Sequence, residues 1–217
     1  MREAVLPRTV HIVDDDASFR TAIERRLKKA GYEVTAHPSA QHFLDRLPEG
    51  DQPGCILLDV RIPNLSGPEL QEELGKLGST LPIVFLSGYA DVSITVRTIK
   101  AGAEDFLTKP VSSEQLLAAI EKAMAHQEAA RGLKHRLDVL RAQLGTLTPR
   151  ERQVFDRVVQ GKINKQIAQQ LGATERTIKA HRHRVMEKMK VQSLAELVSI
   201  AERLGLLALN RDESAAG

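Results

Sequence analysis

In the first 125 residues, short apolar runs alternate with segments whose apolar positions recur at helical spacing. "TVHIV" precedes "ASFRTAIERRLKKAG", "EVTAH" precedes "SAQHFLDRL", and "CILLD" precedes "PELQEELGKLG". "PIVFLS" then leads into "DVSITVRTIKAGA", and "DFLTKP" into "SSEQLLAAIEKAM". This rhythm predicts a doubly wound α/β unit with a parallel sheet. The runs beginning at Cys55 and Ile83 are apolar without alternation, as strands covered on both faces require.

Beyond Val111 the chain reaches Arg131 with neither Gly nor Pro, so the fifth helix is expected to run on past the first domain. Leu133, Leu137, Leu140 and Leu144 follow at coiled-coil spacing, about two heptads long. Two roles stay open for them, a coiled coil or a stripe packed on its own domain. Gly132 marks a weak point in this connector. After Gly145 the pattern is purely helical. Thr148-Pro149-Arg150-Glu151 reads as N-cap, N1 proline and capping-box glutamate, opening a helix that stops near Gly161. "NKQIAQQLG" is a second helix, Thr174 caps a third running to about Lys190, and Ser193 caps a fourth. The expected layout is a domain at 1–125, a helical linker at 126–145, a four-helix domain at 146–210 and a tail at 211–217.

Charge sharpens this division. Residues 1–130 carry 14 Lys+Arg against 19 Asp+Glu, a net −5, whereas residues 131–217 carry 17 against 9, a net +8. An acidic front and a basic back point to a polyanion partner for the second unit. The single cysteine, Cys55, lies in an apolar run, which excludes an intramolecular disulfide and fits a reducing compartment. The opening "MREAVLPRTV" lacks the apolar core of a signal peptide, and no segment has the 18 or so apolar residues that span a bilayer. A cytoplasmic location without membrane attachment is expected.

Candidate chemistry gathers at the strand ends. Asp14 and Asp15 end the first strand and Asp59 the third, and in an open parallel sheet these ends meet over one crevice. Clustered carboxylates repel and make sense mainly around a cation, for which Mg²⁺ fits as a hard ion that keeps waters and takes phosphate oxygens. Asp16 reads instead as a helix cap. Ser87 ends the fourth strand and Lys109 the fifth. A hydroxyl and an ammonium beside carboxylates and Mg²⁺ suit a transferring phosphoryl group, and a carboxylate can accept it covalently. A cis bond at Lys109-Pro110 would aim the ammonium inward.

In the helix opened by Thr174, Ile178, Val185 and Met189 share one face and should be buried, while Arg176, Lys179, Ala180, His183 and Lys190 point away. Such a basic face on the second helix of a helix-turn-helix suits the major groove of double-stranded DNA. His181 and His183 do not share a helix face, which argues against a metal there.

"VDDD", "LLDVRIPNLSG", "FLSGYAD" and "AGAEDFLTKP" resemble the receiver domain of two-component response regulators over about residues 8 to 125. "TPRERQVFDRVVQGKINKQIAQQLGATERTIKAHRHRVMEKM" is similar to the LuxR-type helix-turn-helix of the NarL/FixJ class, most of all its FixJ branch. The resemblance implies a flavodoxin-like (βα)5 receiver followed by an all-α DNA-binding domain. It implies that Asp59 accepts a phosphoryl group from a sensor histidine kinase, and that Asp14, Asp15, Asp59 and the backbone carbonyl of Arg61 hold Mg²⁺. Ser87 would be the switch hydroxyl, Lys109 the phosphate partner and Phe106 the switch aromatic. Two positions depart from the commonest pattern, Ser in place of Thr at 87 and Phe in place of Tyr at 106. Lys179, Ala180 and His183 would face bases, with Arg176, Arg184 and Lys190 completing the DNA contacts. The implied protein dimerises on phosphorylation and binds promoter DNA, with RNA polymerase as a further partner. It is no enzyme beyond its own phosphotransfer and dephosphorylation.

Two rivals fit less well. A phosphatase of the haloacid-dehalogenase type would use Asp14 and Asp16 but wants Gly-Thr after the second aspartate, where Ala17-Ser18 stands. A pure adaptor would not need the basic helix. No phosphate-binding G-x-x-x-x-G-K-[ST] loop is present, which argues against an ATP-driven activator.

Overall fold

A computed structural model of the chain describes residues 8–48, 52–88 and 91–207. The start of the chain, Tyr89-Ala90 of "FLSGYAD" and the expected tail at 211–217 lie outside the described residues. The chain divides into two compact units, Met1–Arg131 and Gly132–Gly217.

In the first unit, β1 (Thr9–Val13), β2 (Glu33–His37), β3 (Gly54–Asp59), β4 (Ile83–Ser87) and β5 (Asp105–Thr108) form one sheet in the order β2-β1-β3-β4-β5. All of its strand pairs are parallel. Between the strands lie α1 (Ala17–Lys29), α2 (Ala40–Leu44), α3 (Gly67–Lys76) and α4 (Val92–Lys100), and α5 (Ser113–Gly145) follows β5. The unbroken apolar runs of β3 and β4 divide between the two faces of the sheet. Cys55, Leu57, Val84 and Leu86 join Val10 and Ile12 against Ile23 and Leu27 of α1 and Leu116 and Ile120 of α5. Ile56, Leu58, Ile83 and Phe85 join Val13 against Phe43 of α2 and Leu70 and Leu74 of α3. Full burial pushes the Cys55 thiol pKa up to about 12, so it is inert packing.

One helix of this unit differs from its predicted span. α2 is only five residues long, because Pro48 forces the preceding backbone to be extended and the chain turns out at Asp45. α5 runs on as expected, continuing through Gly132 to Gly145. The near end of α5 is tied to the sheet by Gln127, whose side chain accepts from the Gly54 N–H at 2.9 Å and donates to the Gln52 carbonyl at 3.1 Å.

In the second unit, α6 (Pro149–Val159), α7 (Asn164–Leu171), α8 (Glu175–Lys188) and α9 (Leu194–Arg203) follow the expected order. Thr148, Thr174 and Ser193 cap α6, α8 and α9 through their side chains, and Thr148 with Glu151 completes the capping box. Val154, Phe155, Val158, Ile167, Ile178, Val185, Met189 and Leu197 build the core. Of the leucine seam, Leu144 packs against this core while Leu133 is 60% exposed, so its far end is a stripe on its own domain.

A chain of imidazoles stiffens the edge of the sheet. His11 Nδ1 lies 3.3 Å from His37 Nε2, and His37 Nδ1 lies 3.2 Å from His42 Nδ1, with Phe43 against both His11 and His37. His11 and His37 are buried, and burial lowers both pKa values to about 4. In the unfolded chain they take up protons near pH 6.5, so stability is complete above that pH and drains away as pH falls toward 4. Acidification from pH 7 to 5 is expected to cost the first unit roughly 2–4 kcal/mol, read by urea unfolding at each pH, with a flatter profile in His37→Gln.

Candidate functional site

The sheet order places its reversal point between β1 and β3, with α1 and α5 on one face and α2 and α3 on the other. A crevice opens there beyond the carboxyl ends of the strands. Asp14 follows β1 and is fully buried, Asp59 closes β3, and Asp15 is exposed at the rim. One oxygen from each of these three carboxylates lies within 4.8 Å of the others, the one such cluster among the described residues. The side chain of Lys109, which follows β5, reaches across. Its Nζ donates to Asp14 Oδ2 at 2.6 Å and to Asp59 Oδ2 at 2.5 Å.

Each group is held by backbone hydrogen bonds. The Asp16 N–H donates to Asp14 Oδ1 at 2.8 Å, the Arg61 N–H to Asp59 Oδ1 at 3.0 Å, and Arg20 Nη1 to the Asp14 carbonyl at 2.6 Å. The Lys109 N–H donates to the Ser87 carbonyl at 2.7 Å, and the Lys109-Pro110 bond is cis. Asp16 acts as the cap that its position suggested, accepting from the N–H groups of Ser18 and Phe19 at 2.8 and 3.1 Å. Burial raises the Asp14 pKa, outweighing its contacts with Lys109. Burial also opposes the charge on Lys109, but its bonds to Asp14 and Asp59 prevail and raise its pKa, so the ammonium stays charged. Three hard oxygen donors converging this closely form a donor set that fits Mg²⁺.

Ser87 is buried at the end of β4. Phe106 on β5 pairs with Phe85 on β4, two residues before Ser87; it is partly buried and stacks on Phe85 at 6.2 Å between ring centroids. Gly67 escaped the sequence reading. A Cβ on Gly67, at the start of α3, would come within 2.3 Å of the Asp59 carbonyl oxygen, so only glycine lets this helix pack beneath the carboxylate. The signal was present in "NLSG", where a glycine stands at a helix start rather than at its end.

In the second unit, α7 ends at Gly172, which adopts a left-handed conformation (φ 59°) and turns the chain into α8. Ile178, Val185 and Met189 are buried, and Arg176, Lys179, Ala180, His183, Arg184 and Lys190 are all exposed. Lys190, however, lies outside the helix. α8 ends at Lys188 with the buried Met189 as its C-cap, and Lys190 takes a left-handed conformation (φ 54°), which removes it from the helical face. Two ties fix the helix: Arg182 Nη1 donates to Asn164 Oδ1 at 2.9 Å, and Lys188 Nζ to the buried Glu151 at 2.6 Å. The bond from Lys188, then those from the Thr148 backbone, lower the Glu151 pKa to about 2, so the capping carboxylate is ionised.

Residues 10–121 match the family model described as the response regulator receiver domain, and residues 145–201 match that of the bacterial regulatory proteins of the luxR family. The response regulator protein TodT of Pseudomonas putida is 40% identical over 195 residues, covering 90% of this chain and 86% of TodT. The transcriptional regulatory protein FixJ of Rhizobium meliloti is 42% identical over 193 residues, covering 89% of this chain and 94% of FixJ. The solved structure of response regulator StyR superposes with a TM-score of 0.82 at 42% identity, covering 91% of this chain and 99% of that one.

Replacing Gly67 with alanine is expected to push the start of α3 away from β3. Unfolding in urea should show a loss of about 1–3 kcal/mol, and the amide signals around Asp59 should move in an NMR spectrum.

Proposed function

The chain belongs to the two-component response regulators that pair a receiver with a LuxR-type DNA-binding domain, and from that membership we propose that Asp59 accepts a phosphoryl group from a sensor histidine kinase and so controls promoter binding. The observation that carries this reading is Lys109 Nζ bridging Asp14 and Asp59 at the reversal point of the sheet. An Asp59 carboxylate oxygen attacks phosphorus in line. A P–O bond forms as the P–N bond to the donor histidine breaks, and the electron pair returns to the imidazole. Lys109 neutralises charge on the equatorial oxygens and stays protonated throughout. Asp14, Asp15, Asp59 and the Arg61 carbonyl would hold Mg²⁺, which when bound supplies further charge neutralisation. The chain would be no enzyme beyond this transfer and its own dephosphorylation, in which water releases inorganic phosphate and restores the Asp59 carboxylate.

Ser87 and Phe106 are the proposed readout of the modification. The phosphoryl group brings three acceptor oxygens and, because it replaces the single charge of the Asp59 carboxylate, roughly one further negative charge; the Ser87 hydroxyl moves toward it and Phe106 follows. On α4, Val92, Val96 and Ile99 stand 76%, 47% and 43% exposed at i, i+4 and i+7, an apolar stripe that supports dimerisation of the phosphorylated form through this side of the receiver. We assign residues 1–125 to the receiver, 126–145 to the linker and 146–210 to the DNA-binding domain. Two copies would set two α8 helices on half-sites about one duplex turn apart, with Lys179, Ala180 and His183 facing bases and Arg176, Arg184 and Lys190 aiding at phosphates. RNA polymerase would be met at the promoter, in the cytoplasm. Among the described residues no helix is long and apolar enough to cross a membrane.

Two measurements test this. Incubation with Mg²⁺ and acetyl phosphate, followed by mass spectrometry, should place one phosphate on Asp59 and none on Asp59→Asn; undiminished labelling of the variant would contradict the assignment. A Lys179→Ala, His183→Ala double variant should alter sequence preference in selection from random duplexes, whereas loss of a lysine or arginine at a phosphate should lower the salt slope by about one.

A further inference from the structure

The ring of Phe19 lies in the first turn of α1, with Lys109 Nζ 4.0 Å from its centroid. The same ammonium carries the bonds to Asp14 at 2.6 Å and Asp59 at 2.5 Å, so two carboxylates and one aromatic face surround it. Lysine is a flexible four-carbon stem with a point charge, and two carboxylates alone do not fix where that charge rests once one of them is modified. The position of the ring is built into the site. The Phe19 N–H donates to Asp16 Oδ1 at 3.1 Å, and the Asp16 N–H donates in turn to Asp14 Oδ1 at 2.8 Å. The rest of the ring packs against the core shared by α1, α5 and the sheet.

We propose that Phe19 is a positioning residue for phosphoryl transfer, its ring face holding the Lys109 ammonium at the crevice while Asp59 changes from carboxylate to acyl phosphate. This rests on the reading of Asp59 as the acceptor. As the P–O bond to Asp59 forms, Lys109 must exchange a carboxylate oxygen for a phosphoryl oxygen. The quadrupole of the ring attracts the cation without a hydrogen bond that would have to break, so it favours the ammonium before and after the exchange. It also covers one side of the ammonium against water, which strengthens the attraction to the developing charge on the other. A leucine at position 19 would keep the apolar packing and remove that face. Tyrosine and tryptophan would keep a face.

The test measures the rate of Asp59 phosphorylation by acetyl phosphate, at saturating and subsaturating donor, in full-length wild type, Phe19→Leu, Phe19→Tyr and Phe19→Trp, with thermal unfolding of each. Phe19→Leu should be slower by about 3- to 10-fold at saturation with an unchanged half-saturating concentration and melting temperature, and Phe19→Tyr should restore the rate. Equal rates for wild type and Phe19→Leu, an equal loss in leucine and both aromatic variants, or a change in half-saturation alone would each overturn the role of the ring. Wild type that takes no phosphate at Asp59 would instead overturn the reading beneath it. If Phe19→Leu unfolds early, Phe19→Met takes its place, with the same slowing expected and an unslowed Phe19→Met overturning the proposal.

Discussion

The first unit depends on one ammonium placed among three carboxylates. Asp14 is wholly out of water, and a lone anion there would be costly enough to neutralise itself by taking up a proton. Lys109 supplies the counter-charge from a strand three places away in the sheet, linking the ends of β1, β3 and β5 through two short bonds. The anchors of the site therefore lie in the backbone. The Lys109 N–H is held by the Ser87 carbonyl, and Asp14 and Asp59 each receive an N–H from two residues further on. A site built on strand ends in this way is rigid in its frame, while its charges remain free to be exchanged for others.

The second unit works by different means. Its helices are short, and short helices are stabilised by caps and tertiary packing more than by propensity. The Glu151 carboxylate caps α6 through the Thr148 N–H and also receives Lys188 from α8, so one buried charge joins the first helix of the unit to the exposed basic one. That arrangement leaves Lys179, His183 and Arg184 facing solvent while Ile178, Val185 and Met189 fill the core. Opposite net charges in the two halves of the chain follow the same division of labour. Three carboxylates gather at the strand ends of the first unit, and exposed cations line α8 of the second.

Much of this was legible without coordinates, because the physics involved is local. Strand and helix periodicity, the Thr148, Thr174 and Ser193 caps, the Asp16 cap and the separation of α8 into apolar and basic faces each depend on residues within a few positions of one another. The strand-end aspartates were also legible, since a doubly wound sheet brings its carboxyl ends together whatever its details. Contacts between distant segments were decided only by the tertiary structure. Gly67 beneath the Asp59 carbonyl, Gln127 bonded to the start of β3, the His11-His37-His42 chain and Phe19 against Lys109 join residues that no spacing rule relates. The left-handed turn at Lys190, which takes its side chain off the α8 face, belongs with them, because no local pattern marked it.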